Sequence, residues 1–164
     1  GIQFVLPLAS TLKDSDVTPF IDQSGLDIRV VHGCMHDLIR ASDAVISVSG
    51  TATLEVALVG TPLVIIYKLS PITYQLAVRL VKVSHIGLCN IVAGETVATE
   101  LIQDDASPEK IAAEIGKILS DYAYDSAIRE KLLMVRQKLG VGGADAKVAE
   151  LLLEMIQKKG FSNG

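Results

Sequence analysis

The chain has 164 residues, 49% of them hydrophobic and 4% aromatic, and its formal net charge is −4. This composition predicts one folded domain with a proper core, and the lack of a basic excess argues against a nucleic-acid partner. The apolar runs are too short for a transmembrane helix. Two cysteines and no basic leader at the start favour a reducing, cytoplasmic compartment.

The first forty residues predict strands and short helices in turn. Apolar runs indicate strands over Ile2–Leu6 and Leu26–Val31, and the dipeptide Thr18–Pro19 is typical of a helix start. A turn over His32–Cys34 then leads into a brief helix over Met35–Arg40. Alternation of this kind is the pattern of an α/β fold.

The stretch from residue 42 to residue 68 predicts a strand–helix–strand unit of the usual length. Its two strands, Ala44–Val48 and Leu63–Tyr67, are apolar without alternation. Strands of this composition are typical of a parallel sheet that is covered on both faces. We therefore expect the two strands to be parallel and buried.

The turn Ser49–Gly50–Thr51 joins the first of these strands to the helix, at the edge where open α/β sheets bind ligands. Free backbone N–H groups and the helix dipole favour an anion there, although a tight helix start with a hydroxyl cap would look the same. One turn later, Glu55 is a lone acid among apolar residues. This context favours a carboxylate that binds ribose hydroxyls over an ordinary exposed helix residue.

The rest of the chain is mainly helical in pattern. The spacing of apolar residues predicts a short strand and loop over 85–93, one helical turn over 99–102, and helices over 72–82, 108–119, 125–139 and 144–159. Glycines before the last helix predict a hinge. We therefore predict an α/β fold, a doubly wound parallel sheet with a helical C-terminal tail.

Two other kinds of site are only weakly indicated. His32, Cys34 and His36 form an H-x-C-x-H cluster, but a zinc site usually needs four ligands and no second pair is suitably spaced. Cys34 or Cys89 would be a nucleophile only if folding brought a histidine beside it. The helix over 72–82 has too few basic residues to favour a membrane-surface helix. We expect neither a metal nor a cofactor.

Three motifs together resemble one enzyme family. They are the stretch 42–68 (SDAVISVSGTATLEVALVGTPLVIIYK), the segment Arg79–Lys82 (RLVK) and the loop Asn90–Gly94 (NIVAG). They are similar to the C-terminal half of lipid-A-disaccharide synthase, a glycosyltransferase with two Rossmann-like domains in the GT-B arrangement. The resemblance implies an inverting reaction that joins UDP-2,3-diacylglucosamine to 2,3-diacylglucosamine 1-phosphate in lipid A biosynthesis. It also implies peripheral association with the inner membrane of a Gram-negative bacterium.

The resemblance assigns roles to individual residues of this chain. It implies a UDP-sugar site formed by Gly33 and Cys34 beside the uracil, Ser49, Gly50 and Thr51 at the diphosphate, Glu55 at the ribose, and Asn90 and Gly94 in the donor loop. Asn90 is expected to offer its polar side chain to the donor. Cys89 stands where the family commonly has a proline, so the loop is expected to be less rigid.

The resemblance also implies parts that this chain does not carry. The first strand of the domain, a Gly-Ser-Arg phosphate loop and the acceptor domain with its general base are expected upstream of Gly1. We therefore expect no catalytic residue in this chain, weak binding of UDP and no activity in isolation.

The expected domain organisation has three parts. Residues 1–140 are expected to form the UDP-sugar-binding domain, residues 141–159 a helix that crosses to the missing domain or to a second protomer of a homodimer, and residues 160–164 a frayed tail. Two alternatives stay open at this point. One is another GT-B nucleotide-sugar enzyme, and the other is a free-standing α/β interaction domain.

Overall fold

A computed structural model describes residues 1–70, 73–74, 84–140 and 142–160. Its strands are β1 Phe4–Leu8, β2 Ile28–His32, β3 Val45–Val48, β4 Leu63–Tyr67 and β5 Thr99–Ile102. Its helices are α1 Asp14–Ser24, α2 Met35–Ala41, α3 Thr51–Val59, α4 Leu88–Ala93, α5 Pro108–Ser120, α6 Tyr122–Leu139 and α7 Ala144–Gly160, with a 3-10 turn at Gln103–Asp105.

All the strands of the described residues pair in parallel, in two groups. β1 pairs with β2, and β4 lies between β3 and β5. In the larger group Val45 lies opposite Leu63, and Val64 lies opposite Thr99. Because the strands run the same way, their carboxyl ends meet at one edge of the sheet. The predicted α/β class and the predicted parallel strand–helix–strand unit are both confirmed.

The core forms around β4, which is the central strand of its group. Leu63 and Ile65 are fully buried, and they pack in one cluster with Val56 of α3 and with Leu132 and Val135 of α6. Helices therefore cover β4, as expected for a strand that is apolar along its whole length.

β3 differs from this expectation, since two of its apolar side chains are exposed. Ile46 is 51% and Val48 60% exposed, and both lie on the same side of the strand. The prediction that both strands of the unit are buried is therefore right for β4 and wrong for one face of β3. The reason is that β3 pairs with β4 along one edge only and is an edge strand among the described residues.

Two local predictions near the N-terminus are corrected. The first strand extends past Leu6 to Leu8 and includes Pro7, which suits an edge strand of the described residues because proline lacks the N–H that a partner would need. The first helix starts before Pro19, at Asp14. The carboxylate of Asp16 accepts a hydrogen bond of 2.9 Å from the N–H of Lys13 and so secures this earlier start.

Two predictions in the middle of the chain exchanged helix and strand. The predicted strand and loop over 85–93 contains helix α4, which Gly94 ends in a left-handed conformation. The predicted helical turn over 99–102 is strand β5, because pairing with β4 satisfies its backbone groups. The predicted helix over 72–82 falls outside the described residues except for Thr73 and Tyr74, and so does the predicted frayed end 161–164.

The predicted C-terminal helices are present. Ser107 caps α5 by accepting a hydrogen bond from the N–H of Lys110, and Asp121 caps α6 three residues earlier than predicted. The last helix, α7, carries a row of exposed apolar side chains: Val148, Leu151, Leu152, Leu153, Met155 and Ile156. In the part of the chain that the structure describes, no helix is both long enough and apolar enough to cross a bilayer.

Candidate functional site

The turn at the carboxyl end of β3 is fixed at both sides by Ser49. Its N–H donates to the carbonyl oxygen of Ile66 on β4 at 3.1 Å, and its hydroxyl donates to the carbonyl oxygen of Ile86 at 2.8 Å. Ser49 therefore ties the end of the sheet to the segment that precedes α4. The hydroxyl oxygen of Ser49 can still accept a hydrogen bond, but its proton is already donated to Ile86.

Gly50 makes the turn possible. Its φ of 155° and ψ of −167° lie in a region that is open essentially only to glycine. Its carbonyl oxygen accepts from both the N–H and the hydroxyl of Thr53, at 3.2 and 2.7 Å. The N–H groups of Thr51 and Ala52 open the helix, where no intrahelical acceptor exists. The turn thus presents exposed N–H groups and the positive end of the α3 dipole to an anion.

Glu55 lies one turn further along α3 with its side chain 44% exposed. Its carboxylate is 3.9 Å from Nε2 of His36, at the start of α2. The loop before α2 places Gly33 and Cys34 in left-handed conformations, with φ of 69° and 53°, and both residues are exposed. Glu55 and the loop at Gly33 and Cys34 are therefore exposed on neighbouring elements, which meet where His36 approaches Glu55.

The H-x-C-x-H residues do not converge. His32 pairs instead with Asp14 at 2.8 Å, while His36 faces Glu55. Among the described residues, no group of three His, Cys, Asp or Glu side chains is arranged to hold a metal ion.

The structure gives Asn90 a different part from the expected polar contact with a ligand. Its side chain is fully buried. Its Oδ1 accepts from the N–H groups of Val97 and Ala98 at 2.8 and 2.9 Å, and its Nδ2 donates to the carbonyl oxygen of Ala98 at 2.8 Å and to Glu100 at 2.7 Å. Every hydrogen-bonding position of the Asn90 side chain is used inside the protein. Asn90 therefore organises the loop and has no polar group left to contact a nucleotide-sugar ligand.

Gly94 ends α4, in the loop that Asn90 organises. Its φ is 77°, and its N–H donates to the carbonyl oxygen of Asn90 at 2.8 Å. The residue is exposed. Its observed part is to turn the chain from α4 towards β5, which is the usual use of a glycine at this position.

Glu100 belongs to the same region and was not singled out in the sequence. Its carboxylate accepts from the N–H groups of Ile86 and Gly87 at 2.9 and 3.0 Å, and from Nδ2 of Asn90. The signal that could have found it is a lone acid within VATELI, a run whose β-branched residues favour a strand. A charged residue in a buried strand needs partners, and here they are backbone N–H groups.

Comparisons with known proteins agree on one family. Residues 1–152 match the family model of lipid-A-disaccharide synthetase. Proteins named lipid-A-disaccharide synthase from Trichlorobacter lovleyi, Geobacter sulfurreducens and Geobacter metallireducens are 66%, 56% and 53% identical to the chain. The alignments cover 96%, 96% and 97% of this chain and 41% of each relative. The chain therefore spans about two fifths of the length of these curated relatives.

Replacing Gly50 by alanine should lower the free energy of unfolding by about 1–3 kcal/mol, the cost of a glycine-only backbone conformation. No atom lies within 4 Å of the added methyl group, so the loss comes from the backbone alone. Gly116→Ala in α5 is the control, because it has equal space in a helical conformation and should gain about 0.5–1 kcal/mol. Urea denaturation measures the free energy of unfolding of both variants. Equal changes in the two would show that the backbone at Gly50 is not strained.

The two cysteines should differ sharply in their reactivity towards iodoacetamide. Burial, followed by the charge of Glu100, raises the pKa of Cys89 from 9.0 to about 11, whereas Cys34 is exposed. Mass spectrometry at pH 8 should therefore find one label, on Cys34, and Cys34→Ser should take up none until urea is added.

The thiol of Cys89 ionises more readily in the unfolded chain, so its contribution to stability should fall as the pH rises from about 9 to 11.

Proposed function

The chain belongs to the lipid-A-disaccharide synthetase family, and from that membership we propose that it is the nucleotide-sugar-binding part of an inverting glycosyltransferase. The donor is UDP-2,3-diacylglucosamine, the acceptor is 2,3-diacylglucosamine 1-phosphate, and UDP is released. The observation that supports this most directly is the glycine turn that opens helix α3 at the carboxyl end of β3, with a half-exposed carboxylate one helical turn away.

Each part of UDP is matched to a feature of this surface. The diphosphate lies against the N–H groups of Thr51 and Ala52, which act together with the dipole of α3. The ribose hydroxyls donate to Glu55, and the uracil lies against the exposed backbone at Gly33 and Cys34. Asn90 contributes by shaping the loop rather than by contact, because its side chain is buried.

The same geometry supports the chemical step. In an inverting transfer, the acceptor hydroxyl attacks the anomeric carbon opposite UDP, a general base takes the hydroxyl proton, and the bond to the UDP oxygen breaks. Negative charge develops on the leaving diphosphate, and N–H groups that already point at it stabilise the transition state. The general base and the acceptor contacts are assigned to the remainder of the protein, as are the contacts of a phosphate loop.

The strand order supports a domain that is completed by a strand from outside this chain. Dinucleotide-type sheets have the order 3-2-1-4-5-6. The observed order, β2-β1 and separately β3-β4-β5, matches it if position 1 lies between β1 and β3. A strand there would carry its own carboxyl end, and the loop after it, to the anion-binding turn. Residues 1–140 form the donor domain in this proposal, and residues 141–159 form a helix that packs elsewhere.

We place the reaction at the cytoplasmic surface of the inner membrane, because both sugars carry acyl chains.

The exposed row on α7 supports packing against the remainder of the protein or against a second protomer. Val148, Leu151, Leu152 and Met155 follow the spacing of one helix face, and all are more than half exposed. An apolar face of this extent promotes association.

Titration with UDP tests donor binding. The backbone amides of Gly50, Thr51 and Glu55 should shift in NMR spectra, with a dissociation constant in the millimolar range, about −4 kcal/mol. Glu55→Gln should weaken binding about tenfold, because the loss of hydrogen bonds to a charged group costs at least ~1.5 kcal/mol. Glu130→Gln, at an exposed position of α6, is the matched control and should change nothing. If no amide shifts at a UDP concentration about tenfold above the expected dissociation constant, this donor role is ruled out.

Sedimentation tests the role of α7. The chain should self-associate as its concentration rises, and the double change Leu152→Gln and Ile156→Gln should restore the monomer. Leu133→Gln with Met134→Gln is the control, since these α6 side chains are 53% and 47% exposed and lie outside the row. A wild-type chain that stays monomeric at high concentration would leave the homodimer without support.

A further inference from the structure

A short segment, residues 85–87, lies against one face of the larger strand group, from the carboxyl end of β3 to the middle of β5. At one side the hydroxyl of Ser49, at the end of β3, donates to the carbonyl oxygen of Ile86. At the other side the carboxylate of Glu100, on β5, accepts from the N–H groups of Ile86 and Gly87. The segment is thus tied to both outer strands of the group and crosses the central one.

Close packing on β4 fixes the height of this segment above the sheet. A Cβ atom at Gly87 would lie 2.3 Å from Cδ1 of Ile65 and 3.2 Å from Oε1 of Glu100. Any larger residue at position 87 would require the buried side chain of Ile65 to move, so glycine suits this close approach. The segment therefore packs directly on β4, and the hydrogen bonds of Glu100 hold it there.

Glu100 uses both carboxylate oxygens for this purpose. Oε2 accepts from Ile86, and Oε1 accepts from Gly87 and from Nδ2 of Asn90. The side chain is 9% exposed, and the imidazole of His85 lies 3.9 Å from Oε1. Hydrogen bonds from several donors to a nearly buried carboxylate are strong because the donors are held in place and water is largely excluded.

We propose that Glu100 is a positioning residue of the nucleotide-sugar site, an inference that rests on the proposed function. Glu100 does not touch the ligand. It holds the Ile86 carbonyl where the Ser49 hydroxyl can reach it, and so keeps the Ser49–Thr51 turn in the shape that receives the diphosphate. Glu55 lies one turn further along α3, and neither it nor the Gly33–Cys34 loop is hydrogen-bonded to Glu100 or to segment 85–87, so the nucleoside contacts should be affected less than the turn.

This division predicts a selective defect. Glu100→Gln keeps the size of the side chain but points an N–H group at N–H donors, so segment 85–87 and the turn should loosen. UDP has one phosphate more than UMP. The dissociation constant of UMP divided by that of UDP therefore measures what the turn adds to binding. In Glu100→Gln this ratio should fall at least fivefold towards 1, whereas UMP binding should change less than twofold.

The neighbouring carboxylate provides a matched control. Glu114 accepts a hydrogen bond of 2.7 Å from the hydroxyl of Thr99, on the opposite side of β5 from Glu100, and another from the hydroxyl of Tyr124. Glu114→Gln disturbs a hydrogen-bonded carboxylate next to the same strand without touching segment 85–87. It should leave the ratio of UMP to UDP dissociation constants unchanged, even if it lowers stability as much.

The experiment measures UDP and UMP binding by NMR, together with hydrogen exchange of the Ile86 and Gly87 amides. Faster exchange of these amides and a reduced ratio in Glu100→Gln alone would support the inference. An unchanged ratio, or equal changes in both variants, would overturn it while leaving donor binding intact. A wild-type chain that binds neither nucleotide would overturn the proposed function and this inference together. If Glu100→Gln does not fold, Glu100→Asp retracts the carboxylate and should give a smaller change in the same direction.

Discussion

Burial of strand β4 is the constraint on which the rest of the structure depends. Its apolar side chains occupy the core, and its backbone pairs with β3 on one side and β5 on the other. Parallel pairing brings the ends of the three strands to one edge, where the β3 turn is tied to segment 85–87 by Ser49. The candidate site is therefore a product of strand direction. Its polar groups rest on the apolar cluster around β4.

Those features of the fold that depend on local pattern could be predicted from the sequence. The apolar runs before Ser49 and before Lys68 form the predicted strands, and the helices predicted over 108–119 and 125–139 are present. The three motifs at 42–68, 79–82 and 90–94 together were sufficient to indicate the family. Short segments failed where tertiary pairing decides, since LCNIVA and TELI have compositions that suit either a helix or a strand.

The arrangement of polar groups beneath the site could not be predicted in the same way. Asn90 and Glu100 are ten residues apart, and each has little meaning without the other, because the amide of one satisfies the carboxylate of the other. The pattern showed that Asn90 was part of a motif, and contact with a ligand was the natural interpretation. Only the three-dimensional arrangement reveals that its hydrogen bonds all end within the protein. The side chains that reach the site and the side chains that support it look alike in a sequence.

The edges of β1 and β3 have a consequence for how such a domain assembles. Among the described residues, each of these strands has one edge without a neighbouring strand, and exposed Ile46 and Val48 belong to β3. In the arrangement proposed above, a strand from the remainder of the protein pairs with both edges and joins the two groups. Until that step is complete, the two edges are places where a second chain can pair, so the order of assembly governs how much of the protein escapes aggregation.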